Sequence, residues 1–301
     1  MTYSTAMHKQ VPNVWCPRST VGGRAIGHRI SRCRLRCLLA TLVLVAAWTS
    51  ARSELPAITQ AAKIQPPGTL AVDFGFGYRS EPRDFGLPEH DARWDLGKTR
   101  LAAGLGELVE VQATAILISA VDNPGGTEFG FGDWTLGTKI HLLSEQGKRP
   151  ALALLWEVKI PVASNEDGIG TDETDFFAHV LLSKHLGERH RFDVNVGVGL
   201  LGDPTKNSAQ DDVLMFSAAW SGQLSEKNVI GAELLARDGF RENDSPALMR
   251  GIYRRIVGRW SISAAVAAGL NDDADGLAVD LFVRRQFQLW APGSAVTMSL
   301  Q

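Results

Sequence analysis

Apolar and polar residues alternate along most of this chain, and the alternation persists over unusually long runs. In Thr69–Arg79, Leu70, Val72, Phe74, Phe76 and Tyr78 interleave with Ala71, Asp73, Gly75, Gly77 and Arg79. In Arg191–Leu200, Phe192, Val194, Val196, Val198 and Leu200 interleave with Arg191, Asp193, Asn195, Gly197 and Gly199. From Trp260 to Gly269 the apolar phase is Trp260, Ile262, Ala264, Val266 and Ala268. A period of two puts successive side chains on opposite faces of a strand. Extended along the chain, it predicts about twelve strands, near 69–79, 92–104, 107–119, 131–143, 150–162, 173–186, 189–201, 211–223, 226–238, 246–256, 259–270 and 276–287. An average soluble strand has about five or six residues. A tilted strand crossing a bilayer needs about 9–11, which is the length found here.

The connections sort by length. Those at Gly106, Ser144–Arg149, Gly187–Glu188, Leu224–Ser225 and Val257–Gly258 are short, and 80–91, 120–130, 163–172, 202–210 and 239–245 between them are longer. Short turns at one end and longer loops at the other characterise outer-membrane barrels. Aromatic residues mark both strand ends: Phe192, Trp220, Tyr253, Trp260 and Phe287 beside the short turns, Tyr78, Trp94, Trp134 and Phe176 beside the long loops. Two such belts match the interfacial girdles of a membrane barrel. The expected fold is therefore all-β, a transmembrane antiparallel up-and-down β-barrel of about twelve strands over 69–287. Two segments fit less well. The 92–104 strand loses phase around Lys98–Arg100, which a bulge would repair, and Arg250, Arg254 and Arg255 crowd 246–256 so that some arginine must face outward.

Charge adds an address. Residues 1–53 hold eight bases and no acid, and removing them leaves 23 bases against 33 acids. An acidic remainder argues against a nucleic-acid partner, because phosphate binding needs clustered bases. The basic segment leads into an apolar stretch from Leu38 to Trp48 and then small residues, the layout of a cleaved secretory signal peptide. That stretch falls short of the ~20 apolar residues of a spanning helix. The expected organisation is a signal peptide at 1–53, a periplasmic lead-in at 54–68, the barrel at 69–287 and a tail at 288–301. Cys16, Cys33 and Cys37 all lie in the leader, so the exported chain has no thiol for disulfides or metal.

The polar phase defines an inward set: Asp73, Glu110, Asp133, Lys139, His141, Glu157, Lys159, Asp175, His179, Arg191, Asp193, Asn195, Glu233, Asp280 and Arg284. These charges either pair across the lumen or line a polar path for a solute. His179 and Ser183 share a strand face, but four residues of strand separate them by roughly 13 Å, too far for a nucleophile and its base. No G-x-S-x-G elbow is present. No catalytic residue, metal ligand or cofactor motif is assigned. The acidic run Asn165–Phe176 has its own candidate chemistry. Aligning Asp167-Gly168 to the fifth and sixth positions of a calcium loop puts Ala163 first and Thr174 twelfth, where carboxylates belong, so that reading fails. Glu166, Asp167, Asp172 and Glu173 read instead as an acidic rim on a long external loop, with Asp203, Asp211, Asp212, Asp272, Asp273 and Asp275 at the same end. Such a rim draws cations to the mouth or holds divalent ions near lipopolysaccharide phosphates.

Several segments also carry a family resemblance. GFGDWTLGTKIHLL at 130–143, PALALLWEVKIPVA at 150–163, GIGTDETDF at 168–176 and FDVNVGVGLLGDP at 192–204 stand in order. Together they resemble the outer-membrane transporter family named for the meta-pathway of phenol degradation. The most specific pieces are Gly130, Gly132 and Asp133 before Leu136, Gly137 and Lys139, and the run Gly168 to Asp175. The resemblance implies a bacterial outer-membrane barrel that moves small molecules inward, aromatic or hydrophobic compounds among them, and it brings no catalytic residues. Barrels of this kind end on an aromatic, as Val283–Phe287 does, and the terminal aromatic is read by the assembly machinery. Here the chain continues to Gln301.

The expected function is passive uptake of a small solute, with outer-membrane lipids and lipopolysaccharide as surroundings. A closed structural barrel with acidic interaction loops is the alternative. A lipid hydrolase is third.

Overall fold

The computed structural model describes residues 58–83, 87, 90–203, 210–239 and 245–290. The expected signal peptide, the start of the lead-in at 54–57 and residues 291–301 of the tail lie outside them. Among the described residues every regular element is a strand: β1 (Thr69–Ser80), β2 (Ala92–Gly104), β3 (Val109–Asn123), β4 (Gly126–Gly130), β5 (Trp134–Leu143), β6 (Ala151–Ile160), β7 (Asp175–Leu186), β8 (His190–Gly202), β9 (Gln210–Ser225), β10 (Asn228–Gly239), β11 (Ala247–Val257), β12 (Trp260–Gly269) and β13 (Leu277–Gln288). Neighbours pair antiparallel, and β1 pairs with both β2 and β13, so the sheet closes on itself. Twelve strands form the ring; β4 pairs with β3 alone and stands outside it. Closure leaves the ring itself without an edge, which a backbone surrounded by lipid requires.

Alternation sets the two faces as expected. On β8, Phe192, Val194, Val196, Val198 and Leu200 are exposed while Asp193 and Asn195 between them are buried. The exposed apolar set, which includes Phe74, Leu136, Trp156, Val180, Ile262 and Leu281, is the outer wall. Such a surface suits hydrocarbon and would be a liability in water.

Three local expectations are corrected. First, 120–130 is not a loop: β3 runs on to Asn123, turns through Pro124–Gly125, and β4 returns along it. The following strand is shorter than expected and starts at Trp134, because the Asp133 carboxylate accepts hydrogen bonds from the Val162 and Ala163 amides, both at 3.0 Å, and holds the chain off the ladder there. Second, the phase slip in β2 is a bulge, with the register shifting opposite Gly75/Phe76 so that Gly97 is the extra residue. Gly97 takes φ +67°, and a Cβ there would meet Leu117 at 3.0 Å. Left-handed backbone and close approach together call for glycine.

Third, the expected periplasmic lead-in enters the barrel. Residues 58–68 run back from the start of β1 into the interior, where Thr59, Ala61, Ala62 and Gln65 are buried. Their backbone polar groups bond to the wall, since an unpaired buried amide is costly. The Gly68 amide donates to the Gly104 carbonyl at 2.8 Å, the Gln65 amide to Glu110 at 2.6 Å, the Ala62 amide to Ser183 Oγ at 2.8 Å, and the Thr59 amide to the Glu233 carboxylate. Glu110 and Ser183 stand near the short turns, and Glu233 lies midway along β10. The segment thus fills the lumen from the short-turn end to about half height. Gly104 lets it pass close to the wall: a Cβ would sit 2.3 Å from the Gln65 carbonyl oxygen.

Candidate functional site

The lumen is the site, and the segment divides it. Around the segment, Lys139 Nζ lies 3.3 Å from Glu110 Oε1, with both side chains essentially unexposed. Gln112 Nε2 donates to Glu110 at 2.7 Å, and Arg100 donates to both Gln60 and Gln112 at 3.0 Å. His141 joins the Ala62 carbonyl through Nδ1 and Ser144 Oγ through Nε2, each at 3.0 Å. Ser183 Oγ, which accepts from Ala62, donates to Asp193 at 2.6 Å, and Arg191 pairs with Asp193 at 2.8 Å. On that face inward Ala151, Ala153, Leu155 and Leu181 pack on Ala62. Apolar contact and backbone hydrogen bonds fix the segment together.

On the far wall the charges form a chain. Arg284 and Asp73 join β13 to β1 through two hydrogen bonds of 2.5 and 2.7 Å. Asp280 holds Lys98 of β2 and Arg250 of β11, each at 2.7 Å. Arg250 also meets Glu233 at 3.4 Å. To reach Asp280 it must cross β12, whose inward residues at that height are Ala265 and Ala267. Small side chains there leave the guanidinium room. Arg250 and Arg254 are both buried, so Arg255 is the arginine of that trio on the outer wall.

Above the segment lies a cavity of about 390 Å³. Ile58 and Gln60 form its floor, and the wall contributes Phe177, Met215 and Leu235 beside Glu157, His179, Asn195 and Arg237. The Asn195 Oδ1 is buried without a protein partner. A mixed lining of this kind can strip water from an apolar solute and still offer it a few hydrogen bonds.

At the long-loop end the two motif runs meet. Lys159 Nζ is 2.7 Å from Asp175, 3.4 Å from Asp133 and 2.7 Å from Thr171 Oγ1. Asp175 also accepts from the Gly202 amide at 2.9 Å. The Gly168 carbonyl contacts His90 Nε2 at 2.8 Å, and Arg93 donates to the Ile169 carbonyl at 2.9 Å while pairing with Asp95. Ile169 is buried against Val121 and Ala163. The expectation of a wholly external loop is therefore corrected at its centre: Gly168–Gly170 turns inward and is buried, while Glu166 and Asp172 remain exposed and Asp167 and Glu173 are half-buried. Among the described residues no cluster of three or more His, Asp or Glu is placed to hold a metal ion.

All the inward residues named from sequence thus fall in these four zones. Sequence pattern alone missed the luminal segment and the cations that complete the network, Arg93, Lys98, Arg100 and Arg250. The signal for Lys98 and Arg100 was present as the phase slip in β2, once a bulge is allowed.

Outside the membrane, the short turn between β5 and β6 carries a separate clamp. Glu145 accepts from Lys184 Nζ at 2.7 Å and from His185 Nδ1 at 2.6 Å. Partial desolvation would raise the Glu145 carboxyl, but the hydrogen bonds from Lys184 and His185 outweigh it and bring it down from 4.5 to about 2.

The fold and the occupied lumen define a β-barrel of the outer-membrane type. The family described as "Putative MetA-pathway of phenol degradation" matches residues 55–279, and the chain belongs to that family. Among curated proteins none matches it by sequence. An outer membrane channel from Pseudomonas putida F1 superposes with a TM-score of 0.59 at 12% identity, covering 78% of this chain and all of that one. The NanC porin superposes with a TM-score of 0.50 at 11% identity, over 72% of this chain and all of that one. At these identities the likeness is one of fold.

Proposed function

We propose that the protein is a passive channel of the bacterial outer membrane for small molecules, exported with a cleaved signal peptide. The cavity above the luminal segment carries this reading, because it offers a mixed apolar and polar site inside a closed barrel. Nothing in such a route couples to an energy source, so flux follows the gradient. The solute enters past the rim of Glu166, Asp167, Asp172 and Glu173, loses water against Phe177, Met215 and Leu235, and exchanges hydrogen bonds with Glu157, His179 and Asn195. The inward charges nearer the short turns, Glu110, Lys139, Asp193 and their partners, set the constriction. Aromatic or hydrophobic compounds suit the lining better than sugars, which would leave its apolar half unsatisfied. On this reading the protein is not an enzyme, lipopolysaccharide surrounds its loops, and the outer-membrane assembly machinery inserts it.

The segment at 58–68 favours one second reading, a closed structural barrel, since it fills the lower lumen and is bonded along its length. Refolded full-length protein in liposomes separates the two. Uptake of small aromatic solutes faster than in empty liposomes is expected; permeability equal to empty liposomes, with no single-channel current in planar bilayers, would leave only the structural reading.

A further inference from the structure

The outer wall sorts charge by end. Toward the long loops it exposes Asp212 and Asp238; toward the short turns it carries Lys184, Arg255 and Arg285. Lys184 is neutralised by Glu145 at 2.7 Å. Arg255 and Arg285 have no described carboxylate within salt-bridge distance. Both lie within three residues of their strand ends, Val257 and Gln288, at the level of an interface. An outward arginine there costs ~0–1 kcal/mol, against ~2–4 at the bilayer midplane. Register places Arg255 opposite Ile262 and Arg285 opposite Trp260, both on β12. The two Cα atoms are therefore about 12 Å apart, two strand spacings and two residues of rise, and the side chains can converge over β12. Arg285 stacks on Trp260, 4.8 Å from the ring centre, and on Phe287 at 5.0 Å. Stacking covers the face of a guanidinium and leaves its in-plane N–H donors for an oxyanion.

We propose that Arg255 and Arg285, on the platform of Trp260 and Phe287, bind the phosphate of an anionic glycerophospholipid in the leaflet facing the short turns. The charge requires a counter-anion, the depth is that of a headgroup, and the rings beside it suit the glycerol and upper acyl region. Short turns of outer-membrane barrels face the periplasm, so the partner is a phospholipid and not lipopolysaccharide. The assignment rests on the barrel spanning a bilayer as proposed above.

Native mass spectrometry of the full chain released from mixed micelles tests it, with phosphatidylglycerol and phosphatidylcholine as competing probes. Each arginine near an anionic surface is worth about fivefold, so wild type should retain phosphatidylglycerol over phosphatidylcholine by about thirtyfold. R255Q/R285Q should lose that preference, and R285K, which keeps the charge without the planar stack, should hold an intermediate one. Equal retention of the two lipids by wild type, an unchanged preference in the double variant, or stronger retention of lipopolysaccharide than of phosphatidylglycerol would each overturn the site. Heat-modifiable migration on mild gels is read alongside. Its absence in wild type would strike the barrel reading itself, and its absence only in the double variant would pass the decision to R285K, for which an unchanged or wholly lost preference refutes the stacked site.

Discussion

Replacing Lys139 by methionine keeps the length of the side chain and removes its charge. Lys139 and Glu110 are 3.3 Å apart with side-chain exposures of 0% and 1%, so the carboxylate would be stranded away from water. Breaking one side of a buried pair costs ~3–5 kcal/mol. Glu110 keeps two donors, the Gln65 amide at 2.6 Å and Gln112 Nε2 at 2.7 Å, so the lower end applies, about 3 kcal/mol or two decades in the unfolding equilibrium. A second outlet exists. Lys139 also reaches the Lys63 carbonyl at 3.4 Å, and release of residues 58–66 would admit water to Glu110 and relieve the charge without unfolding the barrel. Urea unfolding of refolded protein in micelles, read by heat-modifiability, measures the first effect, and planar-bilayer conductance measures the second. The expected result is a lowered urea midpoint, a raised conductance, or both. Adding Glu110→Gln to Lys139→Met should restore most of the loss, because an amide accepts from Gln65 without leaving a bare charge. A Lys139→Met protein with unchanged midpoint and conductance would refute the reasoning, as would a double variant whose loss is the sum of the singles.

Three further outcomes follow from other parts of the molecule. Deleting residues 58–64 removes the floor of the cavity and the filling of the lower lumen, and should raise single-channel conductance several-fold while the heat-modifiable band persists. Gly97→Val forces a branched side chain into left-handed backbone against Leu117 and should cost about 1–3 kcal/mol in urea unfolding. The Glu145 carboxyl is depressed in the folded protein, so its contribution is complete above the unfolded value of 4.5 and is lost as pH falls from there to about 2. Glu145→Gln should flatten the acid limb of the stability profile over that range.

The barrel was legible because lipid outside and water inside impose period two on nearly every strand, and the sorting of loops and aromatics agreed with it. What alternation could not show is anything that obeys no period. Residues 58–68 are short, partly apolar and without repeat, and their place is set by hydrogen-bond partners on five different strands, Gly104, Glu110, His141, Ser183 and Glu233, that are scattered in sequence. The acidic run at 165–176 was ambiguous for a related reason. Its carboxylates suggested a rim, yet the residues that fix its position are Gly168, Ile169 and Thr171, held by His90, Arg93 and Lys159 from other parts of the chain. The inward charges, by contrast, were readable singly, though not their partners: Arg250 reaches Asp280 only because β12 offers alanines beneath it.

The pairing of Asp73 with Arg284 has a consequence for assembly. These residues are 211 positions apart and lie on the first and last strands of the ring. Bringing such distant points together costs roughly 5 kcal/mol of chain entropy if nothing between them is ordered. The cost falls sharply once the intervening hairpins, each local, have formed in turn. Their two-pronged bond can therefore be made only when the wall is otherwise built, and it marks the point at which an open curved sheet becomes a cylinder. Residues 58–68 run directly into β1, so the strand that closes the wall carries its own filling with it.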